Sequence, residues 1–324
     1  MKAIVCTNHG PPDVLQLTEI EKPTPKDNEV LIKVHAATVT QGDLMLRKLH
    51  PLMYLPMRLF GVRRKKIPGH EFAGEVESVG VDVNRFKIGD QVFGTTTGLS
   101  VGANAEYLCL PEEWESGVLA IKPDNISFEE AAALPVGGMT ALYILRKGNI
   151  QSGQRVLVYG ASGSVGTFAV QLARNHFGAE VTGVCGTTNI ELVKSLGAQK
   201  VIDYTKESIK DNNESYDIIY DAVGKSSFSE CIKSLKKDGY YLRSVHMGII
   251  PIARGLWTKM TSNKKIVGGI SVERQEDLRF LAKMMEEKKF KPVIDKIYPL
   301  NEISEAHRHV DQGHKKGNVA VTIQ

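Results

Sequence analysis

The chain has 324 residues, 42% of them hydrophobic and 24% charged, with a formal net charge of +4. This is ordinary globular composition, with room for about two domains that can each bury a core. Basic pairs are scattered along the chain (Arg63-Arg64-Lys65-Lys66, Lys236-Lys237, Lys264-Lys265, Lys288-Lys289, Lys315-Lys316). That pattern argues against a nucleic-acid footprint and leaves at most a mild preference for anionic ligands. The four cysteines, Cys6, Cys109, Cys185 and Cys231, form no CxxC. A zinc ribbon or disulfide framework is therefore not expected, and a cytoplasmic setting is. Met1-Lys2-Ala3-Ile4-Val5-Cys6 enters a strand pattern at once, without a signal- or transit-peptide layout. No apolar run approaches the ~20 residues of a membrane span.

The first part of the chain punctuates like β structure. Residues 29–36 and 72–76 are strand candidates, separated from other apolar runs by Gly, Pro and Asp. Helical periodicity is weak until Ser127, where Ser127-x-x-Glu130 makes a capping box ahead of Ala131-Ala132-Ala133-Leu134. After Gly153 short apolar runs alternate with helical segments. Strands are expected over residues 155–159, 180–185, 200–203, 216–221, 239–245 and 265–271. A helix is expected over residues 164–177, with Val165, Phe168, Ala169 and Leu172 on one face. Such alternation implies an α/β, doubly wound parallel sheet. Leu278, Leu281, Ala282 and Met285 mark a further amphipathic helix, and residues 318–323 a final strand. The organisation expected is a nucleotide domain at residues 138–270, inserted into a β-rich domain built from residues 1–137 and 271–324.

The strongest chemical signal is Tyr159-Gly160-Ala161-Ser162-Gly163-Ser164-Val165-Gly166, between a strand and a helix start. Gly163 lets the backbone approach a pyrophosphate, and Gly166 lets the helix pack closely on the strand. The N–H groups and dipole of the helix start then face the anion. The alternative is a tight strand-helix turn that needs glycine for geometry alone. An NAD enzyme usually ends its second strand on an acidic residue that holds the ribose 2′-OH. Here the chain reads Cys185-Gly186-Thr187-Thr188-Asn189, with no carboxylate before Glu191. Small hydroxyl and amide side chains leave room for a 2′-phosphate, so NADPH is the expected cofactor.

Gly69-His70-Glu71-Phe72-Ala73-Gly74, followed by Gly80, resembles the GHExxG...G signature of the medium-chain dehydrogenase/reductase superfamily. So do Pro23-x-Pro25 ahead of Glu29-Val30-Leu31, the run 133–141 (ALPVGGMTA), Asp221-Ala222-Val223-Gly224 and Gly317-Asn318-Val319-Ala320-Val321. The resemblance runs end to end. The Leu-Pro-Val-Gly-Gly-x-Thr-Ala segment is similar to the zinc-free quinone oxidoreductase and enone reductase branch. The resemblance implies a GroES-like β-rich domain, a Rossmann-type domain, a cleft between them and a homodimer.

The zinc enzymes of this superfamily carry a cysteine three residues before the aspartate that is Asp43 here, and this chain has Thr40. The second cysteine, expected near Val136, and the four-cysteine structural lobe are also missing. No metal ligand is therefore expected, and His70 is read as a hydrogen-bonded histidine at the cleft floor. Quinones and α,β-unsaturated carbonyl compounds can accept hydride without a Lewis acid, because charge delocalises onto an enolate or quinol oxygen. The expected catalytic group is Thr40, Asp43, Tyr54 and His70. The expected cofactor contacts are Thr140, Ser162, Gly163, Ser164, Val165, Gly166, Cys185, Thr187, Thr188, Asn189, Tyr204, Val223, Gly224, Val245, His246, Met247 and Lys316. Residues 49–61, which carry Tyr54, are unusually apolar and read as pocket wall, plain core or a peripheral membrane contact. Three other readings stay open: a zinc alcohol dehydrogenase, an enoyl-thioester reductase, and an NADPH-binding protein with a structural or regulatory role.

Overall fold

The computed structural model describes residues 1–50, 52–53, 65–244 and 263–323. Tyr54, Val245, His246 and Met247, and most of the apolar segment 49–61, lie outside the described residues.

The described contacts fall into two compact units. The first comprises Met1–Val136, Glu273–Glu287 and Pro292–Gln324. Its leading part holds β1 (Lys2–Cys6), β2 (Leu15–Glu19), β3 (Glu29–Val39), α1 (Gln41–Lys48), β4 (Glu71–Val79), β5 (Gln91–Thr95), β6 (Tyr107–Pro111), β7 (Leu119–Ile121) and α2 (Phe128–Ala132). Long β3 anchors the unit, pairing antiparallel with β4 and β6. Its apolar residues Val30, Ile32, Val34, Ala37 and Val39 enter a core with Phe72, Val76, Val92 and Leu110. The capping box at α2 forms as expected, with Ser127 accepting from the Glu130 N–H and Glu130 accepting from the Ser127 N–H. A second box, at α1, was not anticipated: Thr40 is its N-cap and Asp43 its third residue.

The second unit comprises Gly137–Val272 and Lys288–Lys291. Its elements are α3 (Pro135–Lys147, which starts two residues before the unit), β8 (Arg155–Tyr159), α4 (Ser164–Asn175), β9 (Glu180–Cys185), α5 (Ile190–Ser195), β10 (Lys200–Asp203), β11 (Tyr216–Asp221), α6 (Phe228–Ser234), β12 (Leu235–Arg243) and β13 (Lys265–Gly268). The six strands form one parallel sheet in the order β10-β9-β8-β11-β12-β13. Strand order reverses between β8 and β11, the place where doubly wound sheets open a crevice at the carboxyl ends of their strands. Val156, Leu157, Val158, Ile218, Ile219 and Tyr220 are almost fully buried, as strands covered on both faces require.

In the parallel sheet two strands depart from their expected bounds. β12 begins at Leu235, four residues early, and its register against β11 shifts between Tyr216 and Ile218. Asp238, with φ 63°, takes the left-handed conformation inside that irregular stretch. β13 stops at Gly268, because Gly269 departs from strand geometry with φ 152°. The chain then returns to the first unit with α7 (Gln275–Glu286), β14 (Ile294–Pro299), α8 (Ile303–Asp311) and β15 (Asn318–Thr322). β15 pairs with both β14 and β3, which completes the seven-stranded sheet.

Candidate functional site

Two groups of residues carry chemistry, one in each unit. In the second unit the turn after β8 is built by glycine. Gly160 has φ 78°, a conformation that favours glycine. A Cβ on Gly166 would sit 2.0 Å from the Gly160 carbonyl oxygen, so only hydrogen lets α4 lie this close to the turn. Gly163 differs: a Cβ there would meet only the Gly160 oxygen, at 3.5 Å, with open space otherwise. Gly163 is also the N-cap of α4 and supplies no side-chain cap. The start of a 12-residue helix therefore presents backbone donors and the positive end of its dipole beside an open glycine face. This is the arrangement that receives a diphosphate.

The neighbouring turns gather around it. Ser162 accepts a hydrogen bond from the Asn189 amide at 3.2 Å. A Cβ on Gly160 would touch the Val223 side chain, which puts the turn after β11 against the turn after β8. Val223 and Gly224 are themselves held by the Asp221 carboxylate, which accepts from both of their N–H groups. Tyr204 is half-exposed and lies alongside Gly186. Ser162, Gly163, Cys185, Thr187, Thr188, Asn189, Tyr204, Val223 and Gly224 thus belong to turns or strand ends at one edge of this sheet, with Ser164, Val165 and Gly166 in the first turn of α4. Thr140 lies in α3, and Gly137 near that helix's start packs against Ser164 and Phe168 of α4.

One feature of this edge was not visible in the sequence. The second strand ends beside a carboxylate after all: Asp203 of β10 pairs in register with Cys185. Asp203 accepts the Thr187 hydroxyl at 2.5 Å and the Thr205 hydroxyl at 2.7 Å, and Lys206 lies 3.6 Å away. The hydrogen bonds from Thr187 and Thr205 hold its pKa down at about 2. Thr187 accordingly has no hydroxyl hydrogen left to offer a ligand in this arrangement.

In the first unit the pairing of β3 with β4 brings the end of β3 beside His70 and Glu71. Asp43, 3% exposed, accepts the Thr40 N–H at 2.9 Å and the Thr40 hydroxyl at 2.6 Å on one oxygen. Its other oxygen meets His70 Nδ1 at 2.6 Å. Burial alone would raise the Asp43 pKa, but the His70 charge and the bonds from His70 and Thr40 prevail and hold it below the ordinary carboxylate range. Three of the four expected catalytic residues therefore form one hydrogen-bonded chain, Thr40–Asp43–His70.

Glu71 is also buried and faces elsewhere. One oxygen accepts the Thr38 hydroxyl, and the other accepts the Val136 N–H at 2.7 Å, near the start of α3. Its role here is to cap a helix. Burial nevertheless raises its pKa to about 7. Lys316 is exposed, whereas its neighbour Lys315 is the enclosed lysine, donating to the Gly317 carbonyl. Burial lowers the Lys315 pKa to about 8.

The residues present do not fit a catalytic zinc. Thr40 offers no thiolate, and both Glu71 oxygens are occupied by the Thr38 hydroxyl and the Val136 N–H, which leaves His70 without two further protein ligands. Among the described residues no group of three or more His, Cys, Asp or Glu is placed to hold a metal ion.

Comparison with known proteins agrees with both halves of this picture. Residues 26–123 match the alcohol dehydrogenase GroES-like domain, and residues 196–321 match the family described as zinc-binding dehydrogenase. The chain is 34% identical to the 2-methylene-furan-3-one reductase of Solanum lycopersicum, over 99% of this chain and 79% of that protein. It is 33% identical to the chloroplastic NADPH-dependent alkenal/one oxidoreductase of Arabidopsis thaliana, again over 99% and 79%. The solved structure of the quinone oxidoreductase from Coxiella burnetii is similar at a TM-score of 0.87 and 30% identity, covering 100% of this chain and 99% of that one. The fold, the glycine turn and these relatives, matched over nearly the whole of this chain, together mean that the chain belongs to the medium-chain dehydrogenase/reductase superfamily.

Proposed function

We propose that this protein is an NADPH-dependent oxidoreductase that transfers hydride to quinones or α,β-unsaturated carbonyl compounds without zinc. The observation that carries the reading is the uncapped start of α4 behind the open face of Gly163, on a sheet of dinucleotide-binding order. Relatives named for enone and quinone reduction supply the substrate class. NADPH, when bound, supplies the hydride. Backbone N–H groups from Ser164 to Gly166 hold the diphosphate, and Thr188, Asn189, Tyr204 and Lys206 surround the 2′-phosphate. Asp203 is engaged by Thr187 and Thr205 and so does not act as a free ribose acceptor. The chain Thr40–Asp43–His70 offers a fixed polar surface rather than a metal, which suits acceptors whose charge delocalises onto oxygen.

A homodimer in the cytoplasm completes the proposal. The homodimer is what the family resemblance implies, and the four free cysteines are compatible with a reducing compartment. The test is NADPH consumption by purified protein across a panel of quinones, enones, simple ketones and enoyl thioesters, with metal content measured on the same sample. Turnover confined to simple ketones, or dependent on bound zinc, would overturn the reading. Light scattering checks the dimer.

A further inference from the structure

Lys65 stands shortly before the His70 turn in the first unit. Its ammonium donates to the Thr96 carbonyl at 2.8 Å and to the Thr96 hydroxyl oxygen at 2.5 Å. Thr96 is fastened to the same turn, through its N–H to the His70 carbonyl at 2.8 Å and its hydroxyl to the Gly69 carbonyl at 2.9 Å. Lys65 is thereby held rigidly beside His70. An ammonium has three donors, and the hydrogen bonds among described residues use two.

Lys65 lines a small, partly open cavity together with Asp43, Arg47, His70 and His9. Arg47, with its side chain 1% exposed, donates from Nη2 to Asp311 at 2.6 Å, while its Nε and Nη1 have no partner. Asp43, the carboxylate on this cavity, has both oxygens engaged by Thr40 and His70. Among the described residues the cavity thus carries two cationic side chains with donors to spare, and its one carboxylate is already engaged. Buried donors of this kind call for a ligand oxygen that bears negative charge. Glu273, which accepts the Thr97 hydroxyl at 2.8 Å, is the other acidic group that Lys65 feels.

We propose that Lys65 is a catalytic residue: it donates to the carbonyl oxygen of the acceptor and stabilises the enolate as charge builds there, supplying the positive charge that a metal would otherwise supply. The inference rests on the functional reading above. When hydride adds to the β-carbon of an enone, the carbon–carbon π pair forms the enolate double bond and the carbonyl π pair moves onto oxygen. That oxygen is held by the Lys65 ammonium, which keeps its proton. Solvent then protonates the α-carbon as the carbonyl re-forms. Burial lowers the Lys65 pKa to about 8, with Asp43 and Glu273 opposing, so the lysine is a cation at neutral pH.

The test uses Lys65→Met and Lys65→Arg in the full chain. For Lys65→Met, kcat with an enone should fall about 10²-fold, the size expected for losing one oxyanion donor. NADPH affinity by fluorescence titration should be unchanged, and Lys65→Arg should recover most of the rate. In the parent, kcat/KM should fall as pH rises through about 8. Lys65→Met should lack that limb, and Lys65→Arg should move it to higher pH. Without cofactor, p-nitrophenolate, whose oxygen mimics an enolate, should bind the parent and Lys65→Arg but not Lys65→Met. Parental kcat, parental pH profile and parental phenolate binding in Lys65→Met would overturn the proposal. If the parent binds NADPH yet reduces no quinone or enone, the functional reading fails separately, and phenolate binding still decides whether Lys65 holds an oxyanion.

Discussion

Adding side-chain atoms at Gly163 and at Gly166 should separate cofactor binding from folding at a single turn. At Gly166 a Cβ would lie 2.0 Å from the Gly160 oxygen, 2.8 Å from its carbonyl carbon and 2.9 Å from the Ala161 Cα. All three are backbone atoms, so the start of α4 must move off the β8 turn. Overpacking of this kind costs roughly 1–3 kcal/mol or more. At Gly163 the nearest neighbour of a Cβ is 3.5 Å away, an ordinary contact, and φ −82° with ψ 175° is open to any residue. Gly163→Val should therefore leave stability within about 1 kcal/mol of the parent. Its methyls would fill the space a diphosphate must enter. The expected loss of NADPH affinity is about tenfold or more, which corresponds to about 1.4 kcal/mol. Fluorescence titration reads the first effect and thermal melting the second. Gly166→Val should lower the melting temperature by several degrees, while Gly163→Val should not. Unaltered NADPH binding by Gly163→Val would refute the phosphate assignment and with it the cofactor geometry.

Three further outcomes are expected. The parent should bind NADPH more tightly than NADH, because Asp203 is already engaged and Lys206 adds a cation at the same edge; equal dissociation constants would remove the 2′-phosphate assignment. Purified protein should carry no stoichiometric zinc and keep its activity after chelation, since Thr40 stands where a thiolate ligand would be needed and both Glu71 oxygens are engaged; about one zinc per chain, lost together with activity, would reverse this. Glu71→Gln should stabilise the protein at alkaline pH. The Glu71 pKa rises from 4.5 to about 7 on folding, so its contribution is full below 4.5 and is lost as pH rises through about 7. In urea melts the variant should gain on the parent by up to about 3 kcal/mol between pH 5 and pH 8, whereas parallel curves would show that the carboxyl is not held protonated.

The parallel sheet was legible because doubly covered strands are continuous apolar runs, and β8, β9, β10 and β11 match their expected bounds. What escaped was set by contacts remote in sequence. Asp203 reaches Thr187 only through the pairing of β10 with β9, across 16 positions. Glu71 carries a motif that suggests metal chemistry, yet its partners are Thr38, which the β3–β4 pairing brings near, and the Val136 N–H. Helix α1 was hidden by its short length and polar composition, although Thr40-x-x-Asp43 was the available signal. Helix α8 did carry the apolar spacing Ile303, Ala306, Val310, but His307 interrupts it and is itself fully buried. The role proposed for Lys65 had no sequence signal within its basic run, because it rests on the anchor to Thr96, 31 positions away.

The central claim is hydride transfer from NADPH to the β-carbon of a conjugated acceptor. NADPH carrying deuterium at the transferable position of the nicotinamide ring, turned over with an enone, tests it directly. The claim predicts one deuterium at the β-carbon of the saturated product, with a solvent-derived hydrogen at the α-carbon. Deuterium absent from that carbon, or found on a carbinol carbon, would contradict it.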